Sequence, residues 1–478
     1  MTIFESVIFI KKAISTNSQY NGKGTSVDRY LSMLYCQEAT YFDINELEEI
    51  TDHFVDKHDF VKALEVVNYG LALHACSNEL TLRKADLLAA MNKNKEALRL
   101  LNKLEKVDPN NPELFIIKGS ICSELGKSED AIEHFLSAIN CGAEMLDDLY
   151  MDVASEYQSL GDNEAAITFL KKALNENPYN DNAIYEIAYL FEELDASADA
   201  INFFNQIIDQ QPYSELAWFY LGAFKGFEAD FTGAIEAYDY AIAINEKYVQ
   251  AHYEKGHAYL ISGEENKAID SFSETINLDP NHYNAYFYLG RAYDNLKDES
   301  KALASYSKAV KINKNLDVAW LEMALMLERN NKNIDAVYHV KKATEVNDQN
   351  AENWFAFARI HQQIGLLEEA KIAFDQAVDL NPEEVDYWME YSDMLFVNEY
   401  FSECIETIDT AIETIPDAAE LYYKKAAFYL SVGMTKEAEG ILEIALGLDF
   451  SKHKKLFEYL PQSKNNIFVA ELINSYTK

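Results

Sequence analysis

The chain has 478 residues, of which 49% are apolar, and its 80 acidic residues face only 41 basic ones for a formal net charge of −39. The apolar share suits a protein with a buried core. So acidic a surface repels phosphate backbones and anionic headgroups, which argues against nucleic acid and membrane as partners and favours basic ones.

The chain starts MTIFESVIFIKKAI, a short apolar run from Val7 to Ile10 followed by Lys11 and Lys12. That order of charge and apolar residues is wrong for a secretory signal. No run approaches the roughly 18 apolar residues of a membrane span. Cys36, Cys76, Cys122, Cys141 and Cys404 are scattered, with no Cys-x-x-Cys pair. Such thiols fit a reducing compartment, so a cytoplasmic protein without membrane insertion is expected. TNSQYNGKGTS then reads as disordered, and VDRYLSMLYCQE as a short helix. Asp43 and Glu46 have the spacing of a capping box at the start of the next helix.

From Ile44 the chain repeats itself. Numbering each repeat from 1, the starts are Ile44, Asn78, Pro112, Asp147, Asp181, Glu215, Val249, Tyr283, Asp317, Ala351, Val385 and Ala419. Every step is 34 residues except that from Pro112 to Asp147, which is 35, with the extra residue near CGAEM. Position 8 is always small or short, from Thr51 through Gly290 to Ala426. Position 20 is alanine except at Cys404, and six of the eight prolines stand at position 32. Positions 4, 7, 8 and 11 share one helical stripe, and positions 20, 24 and 27 share another. Small residues at 8, 20 and 27 let two helix backbones approach, while larger ones at 4, 7, 11 and 24 fill the space between them. Position 15 is glycine in several repeats, which suits a helix C-terminus. Proline at 32 ends the second helix. One helix pair cannot bury its own apolar face, so neighbours must stack.

This pattern resembles the tetratricopeptide repeat family, as a long array of bacterial type without a catalytic domain. The resemblance implies an all-α fold, a right-handed superhelical α-solenoid of helix–turn–helix units. The expected organisation is an N-terminal segment over 1–43, partly disordered with a short helix; twelve repeats over 44–452; and capping helices over 453–478. KKLFEYL and NIFVAELINSY supply those helices, with Phe457, Leu460, Phe468 and Leu472 as expected cap contacts, since the end of a solenoid must be covered.

No enzyme is legible. There is no Gly-rich phosphate loop and no Gly-x-Ser-x-Gly elbow. The segments flanking the repeats leave no room for a catalytic domain, and no cofactor or metal is expected. His252 and His257 diverge by about 140° on a helix, and His252 occupies position 4, where the family often has tryptophan, so both are read as structural.

By the same resemblance, positions 2, 5, 6 and 9 face the concave groove where partners bind. Position 5 supplies Tyr185, Phe219, Tyr253, Phe287, Phe355 and Tyr423. Position 6 supplies Glu49, Asp152, Glu186, Glu254, Glu322 and Glu390, alternating with Tyr220 and Tyr288 along the run from Glu186 to Glu322. Position 2 adds Glu79, Glu113, Asp148, Glu352, Asp386 and Glu420, and only Arg83 and Lys424 oppose these twelve acids at the two positions. No repeat pairs Lys with Asn at positions 5 and 9, as the family's carboxylate clamp would need. The expectation is a protein-interaction scaffold or adaptor that binds a protein or peptide with basic residues in an acidic, aromatic-lined groove. Self-association as a structural solenoid, sensing of a small peptide or metabolite, and nucleic-acid binding by similar helix pairs are the alternatives, and the net charge opposes the last.

Overall fold

Helix breaks fall where the 34-residue register places them. The first helices span Ile44–Asp56, Asn78–Ala90 and Pro112–Glu124, and so on to Ala419–Ser431; the second span Phe60–Leu73, Asn94–Leu104 and Ser128–Asn140, and so on to Thr435–Leu448. The structure, a computed structural model, describes residues 25–36 and 40–476, and no strand occurs among them. The disorder expected in TNSQYNGKGTS falls, up to Gly24, outside the described residues; its last residue, Ser26, opens α1 (Ser26–Cys36). Asp43 and Glu46 form the capping box: the Asp43 side chain accepts from the Glu46 N–H at 2.9 Å, and Glu46 accepts from the Asp43 N–H at 3.1 Å.

The helices fall into two compact units, Met1–Gln210 and Gln211–Lys478. Within each, a first helix packs on the second helix of its own repeat, and that second helix packs on the next first helix. The alanines at position 20, from Ala63 to Ala438, have no exposed surface, and neither has Cys404. Two side chains could not occupy that contact, which explains why the position tolerates so little variation.

Position 8 has a partner across the helix pair. A Cβ built on Gly119 would lie 2.6 Å from the Phe135 ring, on Gly222 2.7 Å from Tyr238, on Gly256 2.8 Å from Phe272 and on Gly290 2.6 Å from Tyr306. All four partners stand at position 24. Where position 8 is larger than alanine, position 24 is aliphatic: Thr51 goes with Val67 and Ser392 with Ile408. The two positions share one volume, and the sequence divides it differently from repeat to repeat.

The turn after each first helix is left-handed in all twelve repeats. Glycine takes it at Gly126, Gly161, Gly263, Gly365 and Gly433, but His58, Asn92, Asp195, Ala229, Lys297, Asn331 and Glu399 take it too, with φ between +51° and +68°. The position-16 N–H then donates back to the position-11 carbonyl, as from Lys127 to Cys122 and from Tyr400 to Leu395. This wider turn satisfies carbonyls that the helix end leaves bare. A side chain there costs about 1–2 kcal/mol in left-handed conformation, and glycine costs about 0.5–1 kcal/mol in unfolded-state entropy. Glu399→Gly should therefore stabilise its repeat by about 0.5–1 kcal/mol. A higher melting temperature with unchanged circular dichroism is the expected result.

The extra residue lies where expected. Ala143 donates to the Ala138 carbonyl, Gly142 is left-handed at φ +84°, and Met145, at φ +55°, precedes the helix Leu146–Ser159.

At the C-terminal end, Lys454–Tyr459 (α26) and Ile467–Tyr476 (α27) follow Thr435–Leu448 (α25). Leu456 and Val469 have no exposed surface and pack with Tyr423, Leu442 and Leu446; Phe457, Leu460, Phe468 and Leu472 join this cluster half-buried. Leu456 falls at position 4 of what would be the next repeat, and Pro461 stops α26 after six residues.

Candidate partner-binding surface

Position 4 holds all four tryptophans and His252. The indole N–H of Trp218 donates to the Pro212 carbonyl at 2.9 Å, Trp354 to Asp348 at 2.9 Å and Trp388 to Pro382 at 2.8 Å. His252 Nε2 meets the Glu246 carbonyl at 3.1 Å, the same six-residue offset. His252 thus ties a helix start to the preceding loop, as the indoles do. His257 sets its ring edge-on to Tyr288 at 4.7 Å, and burial pulls its pKa down. Among the described residues no group of His, Cys, Asp and Glu side chains is placed to hold a metal ion.

In the N-terminal unit, α2 (Ile44–Asp56), α4 (Asn78–Ala90) and α6 (Pro112–Glu124) share a depression of about 620 Å³. Its lining is Asn45, Glu48, Asp52, Glu79, Leu82, Arg83, Asp86, Glu113, Ile116 and Ile117. Every one of these stands at position 2, 5, 6 or 9. Five carboxylates thus surround one arginine, and Arg83 is already engaged, paired with Asp52 and bonded to Asp86 at 3.2 Å. Burial raises the Glu48 carboxyl pKa, and the charges of Glu79 and Asp52 raise it further. Burial likewise raises Asp86. A bound cation would relieve both effects. Reading positions 2 and 6 alone missed Glu48, Asp52 and Asp86; the acids at positions 5 and 9 were the available signal.

Further along, the named residues divide. Tyr185 is exposed, and Glu186 accepts from Gln158 at 3.1 Å. In the C-terminal unit Phe219 and Phe287 are buried against Tyr238 and Tyr306, and Tyr423 is fully buried with its hydroxyl on the Asp449 carbonyl at 2.9 Å. These three are packing residues that offer a partner little surface. Tyr220, Tyr253 and Tyr288 stay half-buried; Tyr288 stacks on Phe272 at 6.0 Å and meets Tyr253 at 6.1 Å. Phe355 stacks on Tyr387 at 4.3 Å. Glu254, half-buried, accepts from Gln250 at 2.9 Å, and burial raises its pKa as it does that of Glu322.

The acid excess narrows in this unit. Arg359, at position 9, bonds Glu328 at 2.9 Å and reaches Glu390 at 3.6 Å. Arg329 pairs with Asp294, and Lys424 with Asp393 while lying 4.5 Å from the Tyr459 ring. Arginines at positions 9 and 13 thus supply bases that a count over positions 2 and 6 leaves out, and Glu390 is one of the acids they neutralise.

Profiles described as tetratricopeptide repeat match residues 82–144, 158–219, 249–282, 283–316 and 351–384. The matched segments fall in both units and agree with the register that the helices follow. The chain belongs to the tetratricopeptide repeat family. Tetratricopeptide arrays typically bind protein or peptide partners, and the repeats of this chain support a protein–protein interaction scaffold. No curated protein matches the sequence. Similar solved structures include the MamA protein, at 22% identity over 36% of this chain and 94% of that one with a TM-score of 0.33. YrrB, titled a tetratricopeptide protein with an unusual peptide-binding site, has 18% identity over 39% of this chain and 96% of its own, with a TM-score of 0.33. Yeast Tom70 has 16% identity over 90% of this chain and 98% of its own, with a TM-score of 0.39. No described helix is long and apolar enough to cross a membrane.

Proposed function

We propose that this scaffold binds an extended segment with spaced basic residues, and that the strongest determinant is the depression over repeats 1 to 3. The observation that carries the reading is the gathering of Glu48, Asp52, Glu79, Asp86 and Glu113 around the single, already paired Arg83. Leu82, Ile116 and Ile117 in the same lining suit the aliphatic stem of a lysine or arginine or an apolar neighbour. The C-terminal unit carries a surface of the same kind by itself. Tyr220 and Tyr288 flank Glu254 at position 6, and neighbouring packed helices lie about 8–10 Å apart. Carboxylates at alternate repeats then recur about every 20 Å, which an extended chain covers in about six residues. Tyrosine faces between them offer cation–π contact. The division into a 1–43 segment, a 44–452 array and a 453–478 cover belongs to this proposal. So does a cytoplasmic location, supported by free thiols at Cys36, Cys76, Cys122, Cys141 and Cys404.

The test is a titration of a labelled peptide bearing an arginine at about every sixth position. Changing Glu48, Glu79 and Glu113 together to Gln should weaken binding by about tenfold, or about 1.4 kcal/mol, and flatten its salt dependence. Changing Glu186, Glu254 and Glu322 together to Gln should weaken it less, because Glu186 and Glu254 already accept hydrogen bonds. Unchanged affinity and salt slope in the first triple variant would remove the depression from the function.

A further inference from the structure

We propose that residues 1–24 of the chain itself dock in the depression over repeats 1 to 3 and compete there with the partner's basic segment. This inference rests on the reading of that depression as a site for basic, extended chains.

Composition gives the first argument. Residues 1–24 carry Lys11, Lys12 and Lys23 against one acid, Glu5, in a chain that otherwise has about two acids for each base. The apolar run Val7–Ile10 stands directly before the lysine pair. The depression offers the complement in both respects, with Leu82, Ile116 and Ile117 set among Glu48, Glu79 and Glu113. An apolar side chain and an adjacent ammonium group would each meet a matching surface.

Placement gives the second. Ser26, the first residue of α1, donates its hydroxyl to the Glu49 carboxylate. Glu49 adjoins Glu48 on α2, and Glu48 lines the depression. The chain therefore enters α1 beside the rim of the site.

Reach gives the third. Lys12 precedes Thr25 by thirteen positions, and an extended chain of that length spans up to about 45 Å. Three neighbouring first helices at about 8–10 Å spacing cover about 20 Å. The tether is long enough to lay the lysine pair over any of the three helices. A tether of this length holds its ligand at an effective concentration in the millimolar range, so even weak docking would screen the site from partners of low affinity.

The experiment uses the full chain and a fluorescein-labelled synthetic peptide of residues 1–24. In the variant Lys11→Glu, Lys12→Glu the tethered competitor is lost, and the labelled peptide should bind at least tenfold tighter than it binds the unaltered chain. Zero-length carbodiimide coupling of the unaltered chain should join Lys11 or Lys12 to Glu48, Glu79 or Glu113, with a yield independent of protein concentration. Equal affinity of both chains for the peptide, with no such coupling, would overturn the proposal and leave the basic-segment reading standing. Coupling that rises with protein concentration would overturn it in favour of a second copy of the chain. If neither this peptide nor the spaced-arginine peptide bound either chain, the reading of the depression itself would fall.

Discussion

Gly290→Val should destabilise the C-terminal unit by about 3 kcal/mol, the upper end of what overpacking a close contact costs. A single added Cβ already comes within 2.6 Å of the Tyr306 ring, and valine adds two methyl groups beyond it. Tyr306 cannot yield easily, since it is fully buried and packed against Phe287. The register names the compensating change. Three repeats combine alanine at position 8 with leucine at position 24: Ala85 with Leu101, Ala154 with Leu170 and Ala426 with Leu442. Tyr306→Leu alone should also destabilise, through the cavity it leaves. In combination with Gly290→Val it should cost less than the sum, by a coupling of about 1–2 kcal/mol. Thermal melts of the two single variants and the double one supply the cycle. Strict additivity would show that positions 8 and 24 do not share one volume. Alanine is a weaker probe, because Ala188 coexists with Phe204 and Ala358 with Phe374.

The second large effect is at the C-terminal end. Leu456→Ala should cost about 3 kcal/mol, within the range for a leucine with no exposed surface. Repeat stability is carried by contacts between neighbours, so the loss should stay local. Hydrogen exchange should quicken in α26 and in the helices Ala419–Ser431 and Thr435–Leu448, whose Tyr423 and Leu442 share the Leu456 cluster. Exchange in residues 44–210 should not change. Faster exchange along the whole chain would mean that the molecule unfolds as one unit and not repeat by repeat.

The fold was legible in the sequence because its causes are short-ranged. A small residue at positions 8 and 20, an aromatic or aliphatic at 24 and proline at 32 each report a steric demand within one helix pair, and 34 residues contain the whole pair. Fitted to that register, the helix starts fall on the expected residues from Ile44 to Ala419, with a shift of one at Leu146. The left-handed turn was only partly legible. Glycine marks it in five repeats, but the backbone bond from position 16 to position 11 imposes it equally on Lys297 and Glu399.

The candidate surface divides along the same line. The stripe of positions 2, 5, 6 and 9 could be named from the family resemblance, and it lines the depression over repeats 1 to 3. Which of its charges remain available was decided by tertiary structure. Arg83 meets Asp52, Arg329 meets Asp294, and Arg359 meets both Glu328 and Glu390. Each pair joins neighbouring repeats and depends on rotamers that no count of acids and bases contains. Likewise, whether a position-5 aromatic serves a partner or the core depends on what stands opposite it. Tyr238 and Tyr306 bury Phe219 and Phe287, whereas Tyr185 stays exposed. The sequence by itself determined the period, the helix starts and the positions that pack within a helix pair, because backbone sterics and small-residue packing act within a repeat. Only the tertiary structure decided where acidity survives and which rings are open, because charge pairing and burial are settled between repeats.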